Sequence, residues 1–261
     1  MTRMNAYEKL QTARSQTRPT ARSYIEKLFQ ERTELHGDRK YADDAAIIGG
    51  IGMLGDIPAT FIGIERGRNL EERIRCNFGC PMPEGYRKAL RLMRQAEKFH
   101  RPVICFVDTS GAFCGEEAEE RGQGQAIADN LMEMMTLKTP VLAIVAGEGG
   151  SGGALALSVA DRIIMLENAV YSVISPEGCA SILWKDAKKA PEASEALKLT
   201  AQDLYTFGVA DCVIPENEDA PEVICNRLKE EIRKDLKKLM PLNPEELTAL
   251  RYEKFRKIGA F

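Results

Sequence analysis

Histidine is nearly missing from this chain of 261 residues, which holds only His36, His100 and a single tryptophan, Trp184. A hydrolase that activates a serine needs a base, ordinarily histidine, held by a carboxylate. The scarcity weighs against that chemistry. No C-x-x-C pair is present either. The 7 cysteines are irregularly spaced, and Cys76 and Cys80 form CNFGC with no second pair and no nearby histidine. Structural zinc takes four ligands, so no metal site is expected, and the cysteines read as reduced thiols rather than a disulfide framework. No apolar run approaches the roughly 20 residues of a membrane span. The start, MTRMNAYEKLQTARSQTRP, has basic residues but no apolar stretch, so no secretory signal is expected and a cytoplasmic location is. With 36 basic against 39 acidic residues the net charge is -3. Nucleic acid is therefore not indicated as a partner. A P-loop is absent too.

What is there fits one globular α/β chain, 44% hydrophobic and 29% charged. Residues 18–36 read as one helix with Ile25, Leu28, Phe29, Arg32 and Leu35 on one side, His36 ending it. AAIIGGIGML and ATFIGIE read as strands joined at Gly55-Asp56-Ile57-Pro58. The segment 67–85 reads as an irregular loop, and PEGYRKALRLMRQAEKF as a strong helix with Leu90, Met93 and Ala96 together and His100 just beyond. PVICFVDT (102–109) and VLAIVAGE (141–148) are buried-type strands; EEAEERGQGQAIADNLMEMM between them reads as one helix with an acidic start. RIIMLEN and YSVIS are further strands, and the chain is mostly helical from Pro176. In the stretch 221–256, Val223, Ile224, Leu228, Ile232 and Leu236 form an apolar face expected to pack on a partner.

Each buried strand runs into a glycine-containing turn and a helix, the signature of parallel strands. Ligands gather beyond the carboxyl ends of such strands, so the turns TSGAFCG (109–115) and GEGGSGG (147–153) should converge. GGSGG matches G-x-S-x-G around Ser151, yet both histidines precede Ser151, whereas the α/β-hydrolase histidine follows its serine. The favoured reading is physical. Glycines at a strand–helix junction let the backbone approach a ligand, and free N–H groups at a helix start favour an oxyanion. That makes an oxyanion hole without a nucleophile.

HGDRKYADDAAIIGGI, CNFGCPMPEGYRKALRLM, DTSGAFCGEEAEERGQGQAIADNL, GEGGSGGALAL and YSVISPEGCASILWK, in this order, resemble the alpha subunit of the acetyl-CoA carboxylase carboxyltransferase. The resemblance runs from about Arg18 to about Glu216. It implies an α/β crotonase (ClpP-like) fold, a spiral of repeated ββα units with additional C-terminal helices. Residues 18–261 would form the carboxyltransferase domain, with 1–17 as a helical or flexible N-terminal extension. It also implies two alpha and two beta subunits, zinc on the beta subunit only, and a larger complex with biotin carboxylase and the biotin carboxyl carrier protein. The implied reaction moves a carboxyl group from carboxybiotin, on that carrier, to acetyl-CoA, giving malonyl-CoA, the first committed step of fatty acid synthesis. Two oxygens gain negative charge on the way, the thioester oxygen and the biotin ureido oxygen. By the resemblance the amides of Gly152 and Gly153 hold the biotin-side oxygen, Gly149, Gly150 and Ser151 shape the turn, and Ser110, Gly111 and Ala112 form the facing turn. A side chain at Gly153 is then expected to intrude on the substrate while sparing the helix.

The chain departs from the family's DTPGAYPG at Ser110, Phe113 and Cys114. Losing two prolines is expected to loosen that turn. Weaker candidates are open between two readings. Asp108 orients the turn or caps a loop; Glu119, Glu120 and Arg121 cluster at the site or sit in solvent; Arg68, Arg73 and Arg75 meet CoA phosphates or water. Glu177 and Gly178 mark a helix start, and Trp184 belongs to a core or an interface. Two other classes of function remain alongside: a stand-alone crotonase-type acyl-CoA decarboxylase or hydratase, and a non-catalytic assembly subunit.

Overall fold

A computed structural model describes residues 4–217 and 219–259. The chain runs α1 (Ala6–Ala13), α2 (Ala21–Leu28), β1 (Gln30–Glu34), β2 (Ile47–Leu54), β3 (Ile57–Ile64), α3 (Leu70–Arg75), α4 (Pro83–Lys98) and β4 (Val103–Thr109). It continues through α5 (Glu116–Glu120), α6 (Gln123–Thr136), β5 (Val141–Gly150), α7 (Ser151–Leu155), β6 (Arg162–Leu166), β7 (Val170–Ser172), α8 (Pro176–Trp184), α9 (Ala190–Leu197) and α10 (Ala201–Thr206). β8 (Cys212–Ile214), α11 (Pro221–Leu239) and α12 (Pro244–Lys257) complete it. One sheet has the order β1-β2-β3-β4-β5-β6-β8, with β7 paired to the end of β5. β1, β2 and β3 are antiparallel, and from β3 onward the pairs are parallel. Every residue of β4 and β5 is buried. Helices cover both faces of such strands, which is why they read as unbroken apolar runs.

Two expected helices and one expected loop are altered by tertiary packing. The 18–36 helix ends at Leu28, and residues 30–34 become the edge strand β1. Gly50 on β2 leaves room for this: a Cβ there would lie 2.2 Å from the Thr33 carbonyl oxygen. All five β1 residues are exposed, and Glu31, Arg32 and Glu34 keep the edge charged. His36 therefore follows a strand, not a helix. The 116–136 helix is broken at Gly122, whose φ of 81° separates α5 from α6. The 67–85 loop contains α3 and a 3-10 turn at Asn77–Gly79.

The C-terminal expectation also changes. Ile224, Leu228, Ile232 and Leu236 are buried in this chain's own core, while Val223 is exposed. α11 packs on α2 and β8, and Arg233 reaches the β2–β3 turn at Asp56, 2.7 Å away. The face needs no partner to cover it. At the other terminus α1 carries a reciprocal cap between Asn5 and Glu8, and its Leu10 and Ala13 pack with Val170 and Leu199.

Candidate active site

The sheet places the two turns side by side. β4 and β5 are parallel neighbours, and Thr109 is the register partner of Gly149. The chain leaves both strands at the same edge, and the glycines of one turn press on the backbone of the other. A Cβ on Gly150 would lie 2.1 Å from the Ser110 carbonyl oxygen, and one on Gly153 would lie 2.4 Å from the Ala112 nitrogen. Ser110, Gly111 and Ala112 thus meet Gly150 and Gly153, while Tyr171 packs over Gly149, 2.8 Å from where its Cβ would be. Gly149 and Gly150 are the last residues of β5 rather than part of the turn.

Several hydrogen bonds hold the first turn. The Thr109 hydroxyl accepts the Gly111 N–H at 2.9 Å and donates to the Gly111 carbonyl at 2.8 Å. The Phe113 N–H donates to the Pro81 carbonyl at 3.1 Å, and Gln123 Nε2 donates to both Phe113 and Pro81 carbonyls at 2.8 Å.

α7 begins at Ser151, whose φ of 53° makes a sharp left-handed corner. No side chain caps this helix start, and the first N–H groups of a helix lack partners within it. Gly152 is half-buried and Gly153 buried. The Ser151 side chain is exposed, and its hydroxyl makes no hydrogen bond among the described residues. His36 is occupied elsewhere, with Nδ1 2.9 Å from Asp43. His100 follows α4 and precedes β4, at the opposite end of that strand from the turn. The two histidines and Ser151 are not assembled into a triad.

Two cavities flank the turns. One, of about 480 Å³, is lined by Ser151, Gly152, Leu155, Tyr171, Leu204 and Phe255 among others, and contains no lysine or histidine. A smaller one of about 170 Å³ is polar, lined by Arg14, Arg66, Arg73, Asp108, Ser110 and Glu148. Asp108 lies beneath the junction of the turns. Its Oδ1 accepts the Glu148 N–H at 3.0 Å, and its Oδ2 lies 3.0 Å from Arg66 Nε, an ion pair too bent to be a hydrogen bond. Burial pushes its carboxyl up to about 6, with Arg66 opposing. Arg14, from the N-terminal segment, holds Glu148 and Glu177.

The weaker candidates separate. Arg73 reaches the small cavity, Arg75 lines a different one with Asp44 and Lys88, and Arg68 pairs with Glu72 at 3.2 Å, so the three arginines do not converge. Arg121 pairs with Glu84 at 3.1 Å and lies over the Tyr41 ring, while Glu119 and Glu120 are exposed. Glu177 and Gly178 do start a helix, capped by the Ser175 hydroxyl. Trp184 is partly exposed at its end. All seven cysteines are free, and no group of three metal-ligating side chains occurs among the described residues. Sequence reading missed Arg14, Thr109, Glu148 and Tyr171. Thr109 alone carried a local signal, a hydroxyl two residues before a glycine in a turn.

A family model described as acetyl co-enzyme A carboxylase carboxyltransferase-like matches residues 1–259. The acetyl-coenzyme A carboxylase carboxyl transferase subunit alpha of Ruminiclostridium cellulolyticum is 55% identical over 256 residues, 98% of each chain. Its counterpart in Clostridium botulinum is 56% identical over 257 residues, 97% of this chain and 94% of that one. A Clostridium tetani chain named subunits beta/alpha is 53% identical over 263 residues, 99% of this chain and 46% of that one. Among solved structures, the transcarboxylase 12S core aligns with a TM-score of 0.70 at 17% identity, over 86% of this chain and 42% of that one. The beta subunit of Pseudomonas aeruginosa geranyl-CoA carboxylase gives 0.66 at 15%, over 93% and 46%. At such identity these two share the fold alone, the crotonase type. Identity above one half along almost the whole length says more: this chain belongs to the family of acetyl-CoA carboxylase carboxyltransferase alpha subunits.

Proposed function

We propose that the chain is the half of a biotin-dependent carboxyltransferase that holds the biotin side of the active site, in the two-alpha, two-beta arrangement of its family. The single observation that carries this is the contact of the two glycine turns, which leaves the uncapped start of α7 beside the larger cavity. That cavity fits a biotin ring: it is mostly apolar, and Gly152 brings main chain rather than a side chain to its wall. Carboxybiotin, when bound, supplies the activated carboxyl group. The amides of Gly152 and Gly153 donate to the ureido oxygen as its charge grows. Donors of this kind are worth roughly 3–4 kcal/mol each. Ser110, Gly111 and Ala112 back the turn and keep those amides aimed, and the apolar wall at Leu155, Tyr171 and Phe255 excludes water. Acetyl-CoA and the zinc are assigned to the beta subunit. The reading carries with it a cytoplasmic complex containing biotin carboxylase and the biotin carboxyl carrier protein.

Family membership favours this reading over a stand-alone crotonase enzyme or a drifted assembly subunit. Purified alone, the chain is expected to be inactive; co-expressed with the beta subunit it should decarboxylate malonyl-CoA in the presence of biocytin. Full activity of the isolated chain would overturn the assignment.

Two further outcomes are expected. Ile182, Leu183 and Trp184 at the end of α8 are exposed, and three adjacent apolar side chains in water mark a contact surface. We assign them to the beta subunit. Leu183→Asp should leave this chain folded by circular dichroism but abolish co-purification of beta; an intact complex would refute that. Ser151→Ala should keep most of the turnover, because the hydroxyl has no base and no partner among the described residues. A loss on the order of 1000-fold, together with labelling by a serine-directed phosphonate, would restore the nucleophile.

A further inference from the structure

We infer that Arg14 is a positioning residue for the transfer reaction, aiming the glycine turn by gripping Glu148 and Glu177 from outside the site. It follows α1 directly, and its guanidinium faces two carboxylates from distant parts of the chain. Nε donates to Glu148 Oε2 at 2.9 Å and Nη2 to Glu148 Oε1 at 2.6 Å, a forked pair that fixes the carboxylate plane. Nη1 donates to Glu177 Oε1 at 2.7 Å, in the first turn of α8.

Glu148 is the residue before the two glycines that end β5. Its backbone is held on the other side, where its N–H meets Asp108. Asp108 in turn pairs with Arg66, and Arg66 Nη2 donates to the carbonyls of Ala13 and Ser15 at 3.0 Å, the residues either side of Arg14. The contacts close a ring: Arg14, Glu148, Asp108, Arg66 and back to the chain at Arg14. Both turns lie just past this ring: β5 ends two residues after Glu148 and β4 ends one residue after Asp108. Nothing in the sequence announced it, because Arg14 and Glu148 stand 134 residues apart.

A simple staple for α1 would have the same contacts but different consequences. α1 already has its own attachments: the apolar contacts of Leu10 and Ala13, the bond from the Ala6 N–H to Glu195 at 2.8 Å, and that from Lys9 to the Glu167 carbonyl at 2.8 Å. Arg14 is partly exposed, and its pair with Glu177, also partly exposed, adds little stability. Glu148, by contrast, is mostly buried. Without Arg14 its carboxylate sits beside Asp108 with no counter-charge of its own, and the repulsion bears on the residue that leads into Gly149. Misplacement of a site by about 1 Å can cost a factor of about 100 in rate.

The inference rests on the glycine turn being the oxyanion site, so the test carries a control for that reading. Complexes of this chain with the beta subunit are purified by size exclusion, so that only assembled enzyme is counted. Malonyl-CoA decarboxylation with biocytin is then measured for Arg14→Met, Arg14→Lys, Glu148→Gln and Gly152→Asp. Arg14→Met and Glu148→Gln should assemble, lose about 10- to 100-fold in kcat, and leave KM for malonyl-CoA unchanged. Arg14→Lys should recover part of the loss, since a lysine restores charge but not the fork. Parental kcat in both Arg14→Met and Glu148→Gln, with Gly152→Asp defective, overturns this proposal alone. Parental kcat in Gly152→Asp overturns the site assignment beneath it. If Arg14→Met does not assemble, Glu148→Gln decides; if neither assembles, the ring is a folding staple and the proposal falls. A change confined to KM also overturns it.

Discussion

Gly152→Asp should fold, assemble and lose about 100-fold or more in turnover, whereas Gly153→Val should not yield an assembled enzyme at all. The residues are adjacent, and sequence reasoning treated them alike as amide donors. Their surroundings separate them. A Cβ on Gly152 meets nothing nearer than Ile127 Cγ2 at 3.8 Å, ordinary van der Waals distance. Its φ is unexceptional, since it is absent from the positive-φ residues. An aspartate in the first turn of a helix is favoured by the dipole, so stability should hold or rise slightly. The same carboxylate puts a negative charge on the residue whose amide is proposed to meet a developing anion, and so repels that anion. Loss of one oxyanion donor costs about 100- to 1000-fold in kcat. At Gly153 a Cβ would lie 2.4 Å from the Ala112 nitrogen, 2.7 Å from the Gly111 carbonyl carbon and 2.9 Å from the Tyr86 hydroxyl. Two of those atoms are backbone and cannot rotate away. The expectation that a valine here would spare the helix and only crowd the substrate is therefore corrected: the collision is with the protein. Soluble, assembled Gly153→Val enzyme of normal melting temperature would contradict the packing, and normal turnover of Gly152→Asp would contradict the site.

The contrast marks where sequence reading stopped. Unbroken apolar runs such as VICFV and VLAIVA announced buried parallel strands, and glycines after them announced turns at one end of a sheet. Those signals are local, and β4, β5 and the meeting of their turns followed. The segment 30–34 misled because the apolar residues that flank it, Leu28 and Leu35, keep a helical spacing, while pairing with β2 beside Gly50 and Gly52 draws it into the sheet. The α11 face was rightly seen as needing cover, but which surface covers Ile224, Leu228, Ile232 and Leu236 depends on where α2 and β8 come to lie. At the site, the glycines were visible as a motif. Their unequal tolerance was not, since it depends on the backbone of Gly111 and Ala112 pressing on one and not the other. Arg14 and Glu148 gave no signal at all: a partner for a charge is a fact of tertiary distance.

Arg251→Met should be the most destabilising single change outside the turns, on the order of 3–5 kcal/mol in urea unfolding. Arg251 lies on α12 with its side chain wholly buried, and all five of its N–H donors are used. Nε and Nη2 donate to the two oxygens of Asp161 at 2.8 Å; Nη1 donates to the carbonyls of Met134 at 2.6 Å and Leu137 at 2.8 Å; and Nη2 also donates to Thr139 at 3.1 Å. Those carbonyls lie at and just beyond the C-terminal end of α6, where a helix leaves its last carbonyls without partners. Asp161 also accepts the Val141 N–H at 2.7 Å, at the first residue of β5. One side chain therefore ties the C-terminal helix to α6 and to the strand that carries the glycine turn. A methionine fills much of the volume but strands a buried carboxylate and three carbonyls. Arg251→Lys should recover less than half of the loss, because an ammonium cannot make the fork. Asp161→Leu added to Arg251→Met should cost much less than the sum of the two single changes, since it removes the uncompensated charge. The same helix sends Phe255 to the wall of the larger cavity, so the folded fraction of Arg251→Met should also show a raised KM for biocytin. A stability loss below about 1 kcal/mol, the scale of an exposed ion pair, would mean that α12 is held by its apolar contacts and that Arg251 is dispensable.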